Sequence, residues 1–303
     1  MSSSRPVVPS SACCRRLETR LTEMKISVVI PTHDRAHVLT RALNSVRAQT
    51  LAAQEVIVVD DGSRDDTRSI LASLFPECRY IYQANQGVSS ARNRGIEAAD
   101  CDWIALLDSD DEWLPGKLAA QKAQLESEPE TRLCHTDEIW IRNGRRVNPM
   151  RKHAKYGGWI FQHCLPLCVI SPSAALIHRS LFQEVGVFDE ALPACEDYDL
   201  WLRICARNPV AFVKSPQLLK YGGHPDQLSQ RYWGMDRFRI QALEKIIRSG
   251  VIRDGELSAA ISTLQRKAEI LARGAEKRGR HEQARLFRDK QRFYSPLPSN
   301  GHG

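Results

Sequence analysis

The sequence predicts an α/β protein: a mixed, mainly parallel sheet flanked by helices, followed by a helical C-terminal extension. Three observations predict it. The apolar runs ISVVI (26–30), EVIVV (55–59) and WIALL (103–107) are short and continuous, as buried parallel strands are. Between them lie segments of about a dozen residues with apolar side chains at helical spacing, the alternation that builds βαβ units. Polar and acidic residues gather where each run stops, and open α/β sheets collect ligands outside those strand ends.

Ile26 to Ile30 reads as the first strand, closed by Pro31, and Thr32 or Asp34 can cap a helix carrying Val38, Leu39, Leu43 and Val46. The second strand, Glu55 to Val59, ends in Asp60-Asp61-Gly62-Ser63, and a helix follows over Arg64 to Leu74. Tyr80 to Tyr82 reads as a strand, Val88 to Ala99 as a helix with Arg92 and Arg94, and Trp103 to Leu107 as the next strand. After Pro115 come a helix (117–126), a strand (133–141), a hairpin turn at Asn143-Gly144, a strand at 173–178 and a helix after Arg179. The run from Glu196 to Arg203 is helical with acids in its first turn, and strand-like 210–213 and 218–221 follow. From about Trp233 the chain is helical and charged. Leu257, Ile261, Leu264, Ala268 and Leu271 form an amphipathic seam, read as a helical hairpin packing on the main domain, with homodimerisation through the seam as the alternative.

At 303 residues and 42% hydrophobic content the chain can bury one substantial core, or one domain with an appendage. No apolar run approaches the ~20 residues that span a bilayer. The opening MSSSRPVVPSSACCRRLETR has no apolar h-region and is predicted disordered over 1–23, and Met24, directly before the first strand, is a second candidate start. Nine cysteines, an odd number without a C-x-x-C pair, argue against zinc and a disulfide framework and for reduced core thiols in a cytoplasmic protein. The net charge of +7 suits anionic partners, whether nucleotide phosphates or the inner face of a membrane that the basic C-terminal helices could meet peripherally. No nucleic-acid module is visible, so nucleic acid is not an expected partner.

Asp108, Asp110 and Asp111 follow the Trp103 run directly, close enough in sequence to share one hard cation, and oxygen-only ligands suit Mg²⁺ or Mn²⁺. A solvated acidic turn would look the same. The first strand is followed by neither G-x-G-x-x-G nor a Walker loop, so a typical dinucleotide or P-loop site is not expected.

In order along the chain, PTHDR, VVDDGS, ARNRG, LLDSDDEW, FDE and EDYDLWLR resemble the family 2 glycosyltransferases, inverting nucleotide-sugar enzymes of the Rossmann-like GT-A fold. The resemblance runs from about Met24 to Ser229. It divides the chain into a segment 1–23, a GT-A catalytic domain 24–232 and a helical extension and tail 233–303.

The resemblance implies a nucleotide-sugar donor, most plainly a UDP-sugar, and a glycan or lipid-linked acceptor. Pro31, Thr32 and Arg35 would lie along the nucleotide, and Asp60 or Asp61 would accept the imino hydrogen of a uracil-type base. Arg92 would meet nucleotide or phosphate. Asp110 would take the metal, with Asp108 and Ser109 on the nucleotide side, Asp108 near the ribose or a metal-bound water. Asp197 would be the base, and Glu196 would contact the acceptor or orient Asp197. His224 would complete the metal site. Where many relatives carry Tyr-Arg-x-His, this chain has Tyr221-Gly222-Gly223-His224; Arg231 or Lys220 could supply the missing cation, and the glycines could mark a lid. Two other readings stand beside this one, a nucleotide-sugar binding module without turnover and a sugar nucleotidylyltransferase.

Overall fold

A computed structural model of the protein describes residues 24–148, 150–223 and 232–294. The predicted disordered segment 1–23, His224, Arg231 and the tail beyond 294 lie outside the described residues.

Strand β1 (Ile26–Thr32) is buried along its whole length and sits between β2 (Glu55–Asp60) and β4 (Trp103–Leu106), both parallel to it. β3 (Arg79–Tyr82) extends this parallel half beyond β2. On the other side of β4 the sheet becomes mixed, with β8 (Leu176–His178) antiparallel to β4, then β6 (Leu133–Arg142), β9 (Ala211–Gly222) and β5 (Glu112–Trp113). β7 (Arg145–Val147) closes a hairpin on β6 through Asn143 (φ 49°) and Gly144 (φ 74°), left-handed positions that asparagine and glycine tolerate.

The strand alternation sends side chains to two apolar layers. Val29, Ile57, Val59, Ile104 and Leu106 pack on one face against α3 (Val88–Ala98), α7 (Glu196–Cys205) and α8 (Asp236–Arg248). Val28, Ile30, Val58, Ala105 and Leu107 face the opposite layer, with α1 (Ala36–Arg47), α2 (Thr67–Leu74) and α4 (Lys117–Ser127). α3 packs so closely that a Cβ on Gly95 would lie 2.3 Å from a γ-carbon of Val29, so only glycine fits there.

Several elements differ from the expectation. β1 continues through Pro31 into Thr32, and Pro31 pairs in register with Val59. Neither Thr32 nor Asp34 caps α1. Asp34 takes a left-handed conformation (φ 50°) and its carboxylate accepts from Arg64 N, while Asp65 receives the Ala36 N–H at 2.9 Å. The expected strand at 173–178 is a 3₁₀ turn (Pro172–Ala174) followed by the short β8. Residues 210–213 and 218–221 belong to one long β9, whose register against β6 slips near Asp137.

The extension holds three helices, α8, α9 (Asp254–Glu276) and α10 (His281–Phe293), not a hairpin. Leu264, Ala268 and Leu271 are buried inside the chain, so that part of the seam is already covered. The extension is tied down electrostatically, because Lys245 of α8 bridges Asp199 (2.7 Å) and Asp189 (2.5 Å). Among the described residues all seven cysteines are free thiols.

Lys117 is fully buried, held by Gln121 Oε1 (2.7 Å) and the Trp113 ring (4.0 Å). Burial without a carboxylate partner pushes its ammonium down from 10.5 to about 7. The unfolded chain then holds the proton up to 10.5 and the folded one only to about 7, so stability rises with pH across that window, by at most about 1.4 kcal/mol per pH unit. Lys117→Met is expected to stabilise the protein at neutral pH and to flatten this rise. Denaturant melts from pH 7 to 10 check it, and parallel curves for wild type and variant would refute it.

Candidate active site

The carboxyl ends of β1, β2 and β4 open into one cleft of about 1220 Å³, closed on the far side by the start of α7 and the approach to α8. Pro31, Thr32, Arg35, Asp61, Arg92, Asp108, Ser109, Asp110, Glu196 and Asp197 all line it. Asp60 does not. Its carboxylate is taken up by Ser63 N (2.8 Å) and the Tyr80 hydroxyl (2.7 Å), so it shapes the turn. Asp61 is buried against the cleft and accepts from Gln86 N and Gly87 N, both at 2.8 Å. Those two N–H groups fix the carboxylate at the rim. Thr32 Oγ1 is buried beside it with no hydrogen-bond partner among the described residues, a polar atom that a ligand could satisfy.

The acidic turn after β4 separates its three aspartates. Asp111 is 3% exposed and accepts from Ser173 Oγ (2.6 Å) and Tyr221 N (3.0 Å). Burial, then the neighbouring Asp110 charge, raises its carboxyl well above the usual range. It is a structural tie between β9 and the turn, so the three carboxylates do not share one cation. Asp110 pairs with Arg35 at 2.9 Å and Asp108 with Arg92 at 2.7 Å. Among the described residues no group of three His, Cys, Asp or Glu side chains converges as a metal cage. What remains fits a cation held by one or two carboxylates plus phosphate oxygens, the usual mode for Mg²⁺.

Arg92 is the hub of the cleft floor. Its guanidinium is 4% exposed and forks between Asp108 (2.7 Å) and Glu196 (2.6 Å), tying β4 to the start of α7. Its two terminal nitrogens are therefore spent on carboxylates, and its geometry is that of a positioning residue where phosphate contact was expected. Glu196 is buried on the same pair. Burial raises its carboxyl above the usual value, against the opposing pull of Arg92.

Asp197 differs from its neighbours. Cys195, left-handed at φ 61°, turns the chain into α7 so that Asp197 stays half-exposed on the cleft. Its carboxylate accepts from Tyr198 N (2.7 Å) and from the Cys168 thiol (3.1 Å). Burial, then the Asp197 charge, pushes that thiol up well above its ordinary value, so Cys168 stays a neutral donor. Asp199, one step further, is buried and used up on Arg203 and Lys245.

Lys220 also lines the cleft, 2.7 Å from Ser171 Oγ. Burial disfavours its charge, but Glu138 and Asp111 outweigh that and raise its affinity for the proton. Of the two cations considered as substitutes for the missing arginine, it is the one within the described residues. Sequence reasoning missed Asn85, Gln86, Cys168 and Arg239, which also line the cleft. The first two stand just before the predicted α3, where a strand-end loop was the available signal; the others carried none.

Residues 27–186 match the family model described as Glycosyl transferase family 2, and residues 154–249 match Glycosyltransferase like family 2. An uncharacterized glycosyltransferase of Rickettsia conorii is 32% identical over 213 residues, which cover 68% of this chain and 35% of that protein. The chain thus spans about a third of that relative's length. Uncharacterized glycosyltransferase YwdF of Bacillus subtilis is 30% identical over 187 residues, 59% of this chain and 68% of YwdF. The crystal structure of S. aureus TarS 1–349 in complex with UDP-GlcNAc superposes with a TM-score of 0.63 at 17% identity, covering 89% of this chain and 92% of that one. The mixed sheet, its flanking helices and the C-terminal helices have the arrangement of that neighbour, the GT-A fold.

Proposed function

The chain belongs to glycosyltransferase family 2, and from that premise we propose that it moves a sugar from a UDP-sugar to a hydroxyl of a glycan or lipid-linked acceptor, inverting the anomeric carbon. The observation that carries this reading is that a half-exposed carboxylate, Asp197, shares one cleft with the strand-end residues Thr32, Asp61 and Asp110. TarS, the structural neighbour, was crystallised with UDP-GlcNAc and with UDP, which supports a uridine donor here.

In this reading Asp61 accepts the imino N–H of the base and Thr32 gives its unsatisfied hydroxyl to the nucleotide. Arg92 holds Asp108 and Glu196 in place rather than touching the donor. Asp110, with His224 as a further candidate, would hold Mg²⁺ or Mn²⁺ together with the donor's phosphates. When bound, that cation neutralises charge developing on the departing diphosphate. Lys220 adds a fixed positive charge on the same side. Asp197 takes the proton of the acceptor hydroxyl as its oxygen bonds to the anomeric carbon and the bond to the diphosphate breaks.

The test is thermal stabilisation by nucleoside diphosphates with and without Mn²⁺. A ligand that binds only the folded state at about 100 times its Kd adds about 2.7 kcal/mol. UDP with Mn²⁺ is expected to raise Tm, and Asp110→Ala is expected to abolish the metal-dependent part. An equal rise with GDP would remove the uridine assignment, and no rise with any nucleotide would overturn the donor site.

A further inference from the structure

Resting on the glycosyl-transfer reading above, we propose that the acceptor is an anionic glycan, a sugar chain bearing carboxylate or phosphate groups, held along a basic and aromatic stripe formed by the described residues of the segment 142–163. This segment carries six Arg and Lys and no Asp or Glu, in a chain whose whole net charge is +7. Arg145, Arg146, Arg151 and Lys152 are exposed, and none has an ion pair among the described residues. Other cations are matched, as in Arg47–Glu77 and Arg132–Glu184. Concentrated, unmatched cations cost self-repulsion and are expected where an anion binds.

Contacts along the segment make it continuous. His153 lies tilted against Trp140 at 4.7 Å between ring centres, Tyr156 O meets His135 Nε2 at 2.7 Å, and Gly158 bridges to Val210, so the chain runs back along β6 and reaches the start of β9. The stripe borders the cleft at the hairpin tip. At the hairpin tip Asn143 and Gly144 share a recess with Arg35, Asp110 and Tyr221. Further on, Lys155 is buried, paired with Glu138 at 3.2 Å and donating to Val169 O at 3.0 Å, which anchors the segment beside Cys168. A ligand on the stripe therefore reaches the Asp110 side of the cleft at the hairpin tip.

Trp159 is 68% exposed, and Tyr156, also exposed, stacks on His163 at 3.8 Å. Exposed ring faces suit the apolar faces of sugars, and guanidinium groups suit carboxylate and phosphate. Because the stripe borders a recess shared with Arg35 and Asp110, a chain held on it can extend to the cleft, which favours a glycan over a membrane surface.

The experiment measures binding of the full chain to polygalacturonate, neutral dextran, inorganic polyphosphate and phosphatidylglycerol vesicles. The variants are the charge-reversed quadruple (R145E, R146E, R151E, K152E) and Trp159→Ala. Polygalacturonate is expected to bind and dextran not, with the quadruple variant weakened about tenfold or more. Trp159→Ala should weaken polygalacturonate while leaving polyphosphate unchanged. Binding of vesicles without polygalacturonate would overturn the glycan in favour of a membrane. Indifference of polygalacturonate to Trp159→Ala would reduce the stripe to bulk charge and overturn it as well. The UDP-dependent rise in Tm, measured on each variant, reports folding and donor binding separately. Its absence in the wild type would sink the glycosyl-transfer reading rather than the stripe.

Discussion

Asp197→Asn is expected to lower kcat by about 10²–10⁴-fold, the range that positioned general bases contribute, while the Tm rise with UDP persists. Asparagine keeps the shape of the side chain and an oxygen that can accept from Tyr198 N or the Cys168 thiol. It cannot take a proton from an acceptor hydroxyl. The two other acids at the start of α7 are engaged. Glu196 is locked to Arg92 at 2.6 Å, and Asp199 is consumed by Arg203 and Lys245. Release of UDP at saturating donor and acceptor measures the effect. Unchanged turnover in the variant would remove Asp197 from the chemistry, and persistence of the UDP shift rules out misfolding as the cause of a loss.

The second large effect is on stability. Arg92→Ala is expected to cost about 3–5 kcal/mol, because Glu196 keeps its buried charge and loses the cation that pairs with it, and Asp108 loses its own. For a chain of this size that corresponds to a fall in Tm on the order of 10 °C. Arg92→Lys should rescue little. A single ammonium cannot fork to two carboxylates that arrive from different elements. Combining Arg92→Ala with Glu196→Gln should recover part of the loss, since the uncompensated charge is then gone. Equal melting of wild type and Arg92→Ala would mean that the buried fork is not a structural tie.

Much of the parallel half of the sheet was legible in the sequence, and so was the gathering of acids at its strand ends. Apolar runs, helical spacing and turn residues are properties of a dozen neighbouring residues, and β1 to β4 follow them. The mixed half was less legible. β8 has only three residues, and β9 is a single strand whose polar centre, Lys214-Ser215-Pro216, hides its continuity. Its pairing with β6, not its own pattern, makes it one strand.

The sequence by itself determined which residue types stand at the ends of β1, β2, β4 and before α7, because order along the chain and strand period are local. Only the tertiary structure decided which partner each carboxylate of the acidic pairs meets. Asp60 and Asp111 are taken up by Tyr80 and Ser173, Asp111 while still bordering the cleft that Asp61 and Asp110 line. It also decided that Arg92 meets Glu196, 104 residues away, and that Asp65 caps α1 from another loop. The physical reason is the same in each case. A buried charge or orphan N–H takes whichever partner the packed elements bring within about 3 Å, and that choice is made across the fold, not along the chain.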